Sequence, residues 1–361
     1  MNKKVLIKNK AKELGFDLVG ITTAEPFSET YKILNKRKDK GTLPDFMNKD
    51  IKLITHPRLV FNKANSIISV AISYATDLPR EEAFISRYSR GIDYHKVIST
   101  KLKQLSKFIK NLESNIKTRY FCDTGPLLER KIAVRAGLGW IGKNTNLINE
   151  KYGSYLFLGE ILTNLKLTPD SSQINNKCDN CKNCLKQCQG KALIKPYVLD
   201  QNKCVSYLTQ KKGILTEKER EIINGSIWGC DICQEVCPYN KDIPVDIHPE
   251  FSTKIKVDIE QILKFENKNI PQIWKNAALS WRGIRILKRN ALIVIKNKKY
   301  IKYLSLVKEY LNHPSPIIRS YALWTLCKID SKFNKDDLLN FAVKEKNKIV
   351  LNEINKLKKI F

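Results

Sequence analysis

Apolar positions along the chain change their period twice, and the changes mark out three stretches. From residue 1 to 165, helical and strand patterns alternate. Lys3 to Leu14 repeats its apolar residues at helical spacing, and Gly15 stands where a helix commonly ends in a left-handed glycine. Asp17 to Thr22 and Ile67 to Tyr74 are short runs rich in β-branched residues, suited to buried strands. Val97 to Leu112 predicts a second amphipathic helix, and Thr118 to Cys122 another strand. A helix is expected from Pro126, because proline suits a first helical turn, to about Gly137. Gly137, Gly139 and Gly142 then bend the chain around Trp140, and Tyr155 to Leu162 returns as an apolar strand or helix. Residues 166–250 carry short cysteine loops, with a short helix expected to begin over Gly190 to Leu193. After Phe251 the pattern is helical. Arg289–Ile295 and Arg319–Cys327 read as two copies of one helix, 30 residues apart, with Val350 to Ile360 as a third, capping copy. A paired-helix repeat of HEAT type fits this spacing, and Cys327 falls on its apolar face as a plain core residue.

Composition supports globular folding: 361 residues, 42% of them hydrophobic, suffice for two or three cores. The basic N-terminus lacks the apolar run of a secretory signal, and Ser66 to Ala75 is too short to span a bilayer. A soluble, cytoplasmic protein is expected. Charge changes the picture more. There are 65 Lys and Arg against 36 Asp and Glu, a net charge of +29. Residues 253–361 hold 24 of the basic and 9 of the acidic side chains. Such an excess suits a polyanion such as nucleic acid. It equally suits a Lys-, Asn- and Ile-rich composition whose lysines are merely solvated.

Eight of the ten cysteines lie between residues 178 and 237. Cys178, Cys181, Cys184 and Cys188 read C-x2-C-x2-C-x3-C; Cys230, Cys233 and Cys237 read C-x2-C-x3-C-P, with Cys204 as an outlying partner. Bacterial two-cluster ferredoxins use this arithmetic, so two [4Fe–4S] clusters are expected. Structural zinc needs only paired C-x2-C hooks and leaves the third and fourth cysteines of each group unexplained. A disulfide framework belongs to small exported domains. Gln189 replaces the proline common after the last cysteine of such a loop, which alters a turn and no ligand.

Outside the cysteines, the densest special residues are Asp123-Thr-Gly-Pro-Leu-Leu-Glu-Arg130. Asp123 ends a strand just before a helix, a position used for catalytic carboxylates and equally for helix caps and turns. The glycine bend near Lys143 lacks both common nucleotide-loop spacings. Arg87 to His95 mixes basic, aromatic and imidazole groups, either as a pocket wall or as a solvated turn.

These segments resemble the epoxyqueuosine reductase family, cobalamin-dependent iron–sulfur enzymes acting on tRNA. The matching runs are Ser86-Arg-Tyr-Ser-Arg-Gly-Ile-Asp-Tyr-His95, Cys122-Asp-Thr-Gly-Pro-Leu-Leu-Glu129, Ala136-Gly-Leu-Gly-Trp-Ile-Gly-Lys-Asn144, Tyr152-Gly-Ser154, Cys204-Val-Ser-Tyr-Leu-Thr-Gln210 and Trp228-Gly-Cys-Asp-Ile-Cys-Gln-Glu-Val-Cys-Pro238. The resemblance implies three domains. Residues 1–165 would be an α/β cobalamin-binding catalytic domain, 166–250 a ferredoxin-like domain with two [4Fe–4S] clusters, and 251–361 an all-α HEAT-like repeat that binds tRNA. It further implies that Cys178, Cys181, Cys184 and Cys237 hold one cluster, and Cys188, Cys204, Cys230 and Cys233 the other. Electrons pass through them to cobalamin, which deoxygenates epoxyqueuosine at the wobble position of tRNA to queuosine, with Asp123 as proton donor. From motif position, Ser86, Arg87, Tyr94, His95, Asp123, Lys143 and Ser206 are the expected cofactor contacts, and Lys211, Arg285, Arg289 and Arg319 the expected tRNA contacts. The histidine-ligand pattern D-x-H-x-x-G is absent, so cobalamin would be held base-off. A flavodoxin- or ferredoxin-like reductant and a monomeric state are also expected. A reductive dehalogenase-like cobalamin enzyme and a non-catalytic iron–sulfur protein for electron transfer or RNA binding are the alternatives.

Overall fold

The computed structural model describes residues 2–41, 43, 50–170, 175–252, 254–266 and 268–359. Two compact units emerge. Met1–Leu78, Gly91–Asn202 and Asp231–Thr253 make the first; Pro79–Arg90, Lys203–Cys230 and Lys254–Phe361 make the second. This partition cuts across the three consecutive stretches read from the sequence. Most of the cysteine-loop region folds with the N-terminal stretch, whereas residues 203–230 fold with the C-terminal helices.

The first unit is built on a four-stranded sheet, β1 (Leu18–Thr23), β2 (Ser66–Ser73), β3 (Thr118–Phe121) and β4 (Leu156–Thr163), in the order β1-β2-β4-β3. Helices and strands alternate along the chain as expected, yet every strand pair is antiparallel. β2 is buried along its whole length, which accounts for its unbroken apolar run of Ile67, Ile68, Val70, Ala71 and Ile72. The ambiguous run before Leu162 is a strand, β4, paired on both edges. Helix α1 (Lys3–Glu13) ends at Gly15, whose φ of +82° confirms the left-handed stop. Helix α2 (Tyr94–Lys110) starts at Asp93, whose carboxylate accepts the His95 backbone N–H. Its Ile98, Leu102, Leu105 and Ile109 form one buried stripe packed on β3 and β4. Each such side chain contributes about 1.5–3 kcal/mol by leaving water.

Two local expectations are corrected. Helix α3 spans Glu129–Arg135, not Pro126 onward. Asp123 has a left-handed φ of +57°, and its N–H is taken by the Glu129 carboxylate, so residues 123–128 form a loop that delays the helix. Residues 190–199 form a hairpin, Leu193–Lys195 against Val198–Leu199, where a helix start was expected. Pro196 offers no N–H, and Tyr197 takes φ +65°, a turn geometry that no helix accommodates.

The second unit is helical. α4 (Ile284–Lys298), α5 (Pro316–Ile329) and α6 (Lys348–Leu357) stack side by side, with α5 in the middle. They contain the three runs read from the sequence as helices, Arg289–Ile295, Arg319–Cys327 and the stretch from Val350, although residue 360 lies outside the described residues. Shorter helices, Leu304–Glu309 and Lys335–Lys344, run between them. Cys327 packs at the margin of this core. Arg220 ties the stack together: its guanidinium meets Glu353 at 2.5 and 3.0 Å and lies over the rings of Tyr321 and Trp324. Among the described residues no helix is long and apolar enough to cross a membrane.

Candidate active site

Within the first unit, four of the expected thiols open onto one cavity. Cys178, Cys181, Cys184 and Cys237 line a space of about 180 Å³ beside Lys143 and Tyr239. Burial pushes the Cys237 thiol up, and the neighbouring Cys178 and Cys181 push it further; Cys184 feels burial and then Cys181, Cys237 and Cys178. The Tyr239 and Leu185 backbone N–H groups oppose these shifts at Cys237 and Cys184. Four sulfurs lining one void, two of them met by backbone N–H groups, suit an iron–sulfur cube. Among the described residues, no three His, Cys, Asp or Glu side chains converge closely enough to hold a single metal ion. Trp140 adds a further sign: its Nε1 is buried without a hydrogen-bond partner, and its ring packs on Cys178 and Cys237.

Of the other four cysteines, Cys188 accepts the Ala192 N–H at 3.2 Å, and Cys233 Sγ lies 4.0 Å from the Asn146 amide, both within the first unit. Cys204 caps the helix Val205–Gln210, and Cys230 follows Gly229 (φ +68°), both in the second unit. Cys122 is buried between β3 and Asp123, and burial followed by Glu129 drives its thiol far up, so it is no thiolate ligand.

Elsewhere in the first unit, the N-terminus of α2 meets the loop after β3. His95 Nδ1 lies 2.7 Å from Asp93 Oδ1, and His95 Nε2 lies 3.0 Å from Asp123 Oδ2. The Asp123 hydrogen bond, then that of Asp93, raises the imidazole pKa from 6.5 to about 9. At neutral pH the ring therefore carries two protons, one towards each carboxylate. Tyr94 fixes the ring plane, stacking on His95 at 4.0 Å and on Phe157 at 4.2 Å. Asp123 remains 54% exposed and so faces outward from a rigid support.

That support contains two further acids. Glu129 Oε1 accepts the Asp123 N–H at 2.5 Å, holding the left-handed residue in place. Behind it, Glu160 on β4 is wholly buried, and its carboxyl is hydrogen-bonded to that of Glu129. Burial and then Glu129 raise the Glu160 carboxyl well above the ordinary range, so it stays protonated; burial and then Asp123 raise Glu129 to about 7. An unfolded Glu160 loses its proton above about pH 4.5, so the buried acid costs stability increasingly as pH rises past that value. Glu160→Gln is therefore expected to raise Tm by about 2–4 °C at pH 8, and by less at pH 5, in paired thermal melts.

Other expected residues take different places. Lys143 is committed to the cysteine loop, its ammonium donating to the carbonyls of Cys178, Asp179 and Cys181. It thereby braces the cysteine loop. Ser86, Arg87 and Ser206 belong to the second unit. Ser86 is buried and donates its N–H to the Trp228 carbonyl; Arg87 is half-buried; Ser206 turns its carbonyl to Thr209 and Gln210. Arg289 is corrected outright as a tRNA contact. It is fully buried and donates to the carbonyls of Lys211, Gly213, Leu208 and Thr209. Arg319 is likewise engaged, in a two-point pair with Glu345 at 2.7 and 2.9 Å. Lys211 meets Glu219 at 2.6 Å, while Arg285 is exposed. The two residues missed altogether are Asp93 and Glu160. A lone glutamate inside the apolar run of β4 was the available signal for the second.

Comparison with known proteins agrees with this geometry. Residues 55–124 match the family described as epoxyqueuosine reductase QueG, and residues 177–240 the 4Fe-4S double cluster binding domain. An epoxyqueuosine reductase of Bacillus subtilis is 34% identical over 358 residues, 96% of this chain and 92% of that one. A solved epoxyqueuosine reductase with an epoxyqueuosine-modified tRNA-Tyr stem loop superposes with a TM-score of 0.94 at 33% identity, over 99% of this chain and 98% of that one. A Bacillus subtilis structure described with its catalytic aspartate loop swung out of the active site matches over the same shares, with the same score and identity.

Proposed function

The chain belongs to the epoxyqueuosine reductase family, and we propose on that premise that it reduces epoxyqueuosine in tRNA to queuosine, with Asp123 as the proton donor. The observation that carries the acid role is the Asp93–His95–Asp123 chain. Removing an epoxide oxygen as water takes two electrons and two protons. When bound, two [4Fe–4S] clusters supply the electrons singly, and cobalamin supplies the reduced metal centre that acts on the epoxide. Cys178, Cys181, Cys184 and Cys237 would hold one cluster, and the remaining cysteines of the matched stretch, Cys188, Cys204, Cys230 and Cys233, would hold the other. His95 has both ring nitrogens engaged by carboxylates, so its role here is with the proton.

The chain's own residues manage the first of the two protons, and the second is drawn from solvent, to which the half-exposed Asp123 is open. The first proton rests on His95 Nε2, and it reaches the departing oxygen through Asp123 Oδ2. Asp93 stabilises the imidazolium, so the proton is stored across the neutral range yet lies one hydrogen bond from the carboxylate that delivers it. Tyr94 and Glu129 keep the ring and the acid in register. Preorganised donors of this kind act best when nothing has to reorient during the step. We further assign a flavodoxin- or ferredoxin-like reductant and a cytoplasmic, monomeric protein.

Anaerobically reconstituted protein, reductant and an epoxyqueuosine-bearing stem loop should yield queuosine; no conversion would end the proposal. The pH profile tests the proton store. A histidine whose pKa is raised on folding keeps its ion pairs below the unfolded value of about 6.5 and loses them as pH rises through about 9. Wild-type kcat should fall on that alkaline limb, and His95→Gln should lower kcat and abolish the limb.

A further inference from the structure

With Arg289 and Arg319 committed to internal contacts, the basic excess of the second unit needs another point of action. Between Glu266 and Glu309 there is no acidic residue, while eleven Lys and Arg side chains fall in the interval. Within it lies the largest exposed aromatic ring of the protein. Trp281 is 60% exposed, although it sits on a turn whose preceding Ala278 and Leu279 are buried. The turn Ala278–Arg282 is a tight 3₁₀ segment closed by Gly283 at φ +79°, with the Gly283 N–H on the Ser280 carbonyl at 2.9 Å. Its geometry pushes residue 281 outward while its neighbours anchor the core. Leaving an indole in water forgoes a large hydrophobic gain, so its retention there calls for a partner.

Arg282 sharpens the choice of partner. Its guanidinium carbon stands 3.7 Å from the Trp281 ring centroid, and its Nε is shut from solvent without a hydrogen-bond partner. The charge is thus spread against an aromatic plane instead of being paired with a carboxylate. An exposed indole backed by a guanidinium, in a stretch free of acids, is the construction that stacks a nucleobase while attracting its phosphate. The same turn packs within the second unit against Arg87–Ser89, part of the Ser86–His95 motif. Arg285, exposed one turn further on, is placed for backbone phosphate.

We propose that Trp281, supported by Arg282, is a stacking platform for an unpaired base of the substrate RNA. This rests on the tRNA reading given above. An unpaired loop base offers a free π-face, whereas a duplex offers none, so the platform selects loop over stem.

The test is binding of an epoxyqueuosine-bearing stem loop to holoprotein by fluorescence anisotropy at two salt concentrations, together with steady-state turnover. Trp281→Ala should weaken binding and raise KM about tenfold, with kcat and the cluster absorbance unchanged. Trp281→Phe should recover most of the loss. Arg285→Ala should flatten the salt dependence without altering kcat. Equal affinity of wild type and Trp281→Ala, with wild-type turnover intact, overturns the platform and leaves the function standing. Failure of the wild type to convert or bind the stem loop defeats the tRNA reading, and the platform with it. A Trp281→Ala defect seen only with a protein reductant and absent with a chemical one would also overturn it, since the patch would then dock a protein.

Discussion

Asp123→Asn is expected to lower kcat on epoxyqueuosine-bearing tRNA by about 10²–10⁴-fold, while iron content and RNA affinity stay at wild-type levels. The substitution isolates the proton because almost everything else survives it. Asparagine tolerates the left-handed φ of +57° better than any other side chain except glycine's lack of one. Its backbone N–H still reaches Glu129, and its amide oxygen still accepts from His95 Nε2. What disappears is the ability to receive a proton from the imidazole and release it to the oxygen. Turnover of the variant within threefold of wild type would remove Asp123 from the chemistry. Alanine is a poorer test, since it loses the tolerance of positive φ together with the acid, and the loop after β3 would relax.

Cys237→Ser is expected to have the largest effect of all. Iron should fall from about eight to about four per chain, the number that one lost [4Fe–4S] cluster removes, and turnover should vanish with it. Cys237 lies beside Cys178 and Cys181 at the cavity wall, so its loss opens one corner of a four-thiol set. Cys122→Ser and Cys327→Ser are the matched controls. Burial holds both of those thiols protonated, at about 12 for Cys327, and neither belongs to the cysteine stretch. Their iron should remain at about eight. Unchanged iron in Cys237→Ser, or zinc in place of iron in the wild type, would refute the cluster assignment.

The loop at residues 122–128 carries the acid tested by the first of these variants. In this chain it is held by the Glu129 carboxylate on the Asp123 N–H and by the His95 contact with the Asp123 carboxylate.

The residues show why some of this was legible in the chain and some was not. The cysteine spacing is a local code: a thiolate loop folds around its metal, so residues three apart in sequence are neighbours in space. Lys3 to Leu14, β2 and the repeated helices were readable for a similar reason, because periodicity is a one-dimensional record of which face is buried. The loop after β3 was misjudged because a side chain six residues away, Glu129, captures the N–H that an early helix would have used. The internal contacts of Lys143, Arg289 and Arg319 could not be read, because charge along a sequence does not say where a side chain ends. Each is a cation whose partners are backbone carbonyls or a carboxylate brought near by folding.

By itself, then, the sequence determined the two-cluster cysteine pattern, the family resemblance and the run of helices after residue 251, and it singled out Asp123 as a candidate. Only the tertiary structure decided that the sheet is antiparallel, that His95 is clamped between two carboxylates, and that Glu160 lies protonated behind them. It also decided which arginines are structural and that Trp281 is left outside. The division follows from range. Spacing and periodicity act over a few residues and are written in order along the chain, whereas burial and pairing join groups far apart in it, 28 positions for His95 and Asp123 and 81 for Leu208 and Arg289, that meet only when the sheet and the helical stack are formed.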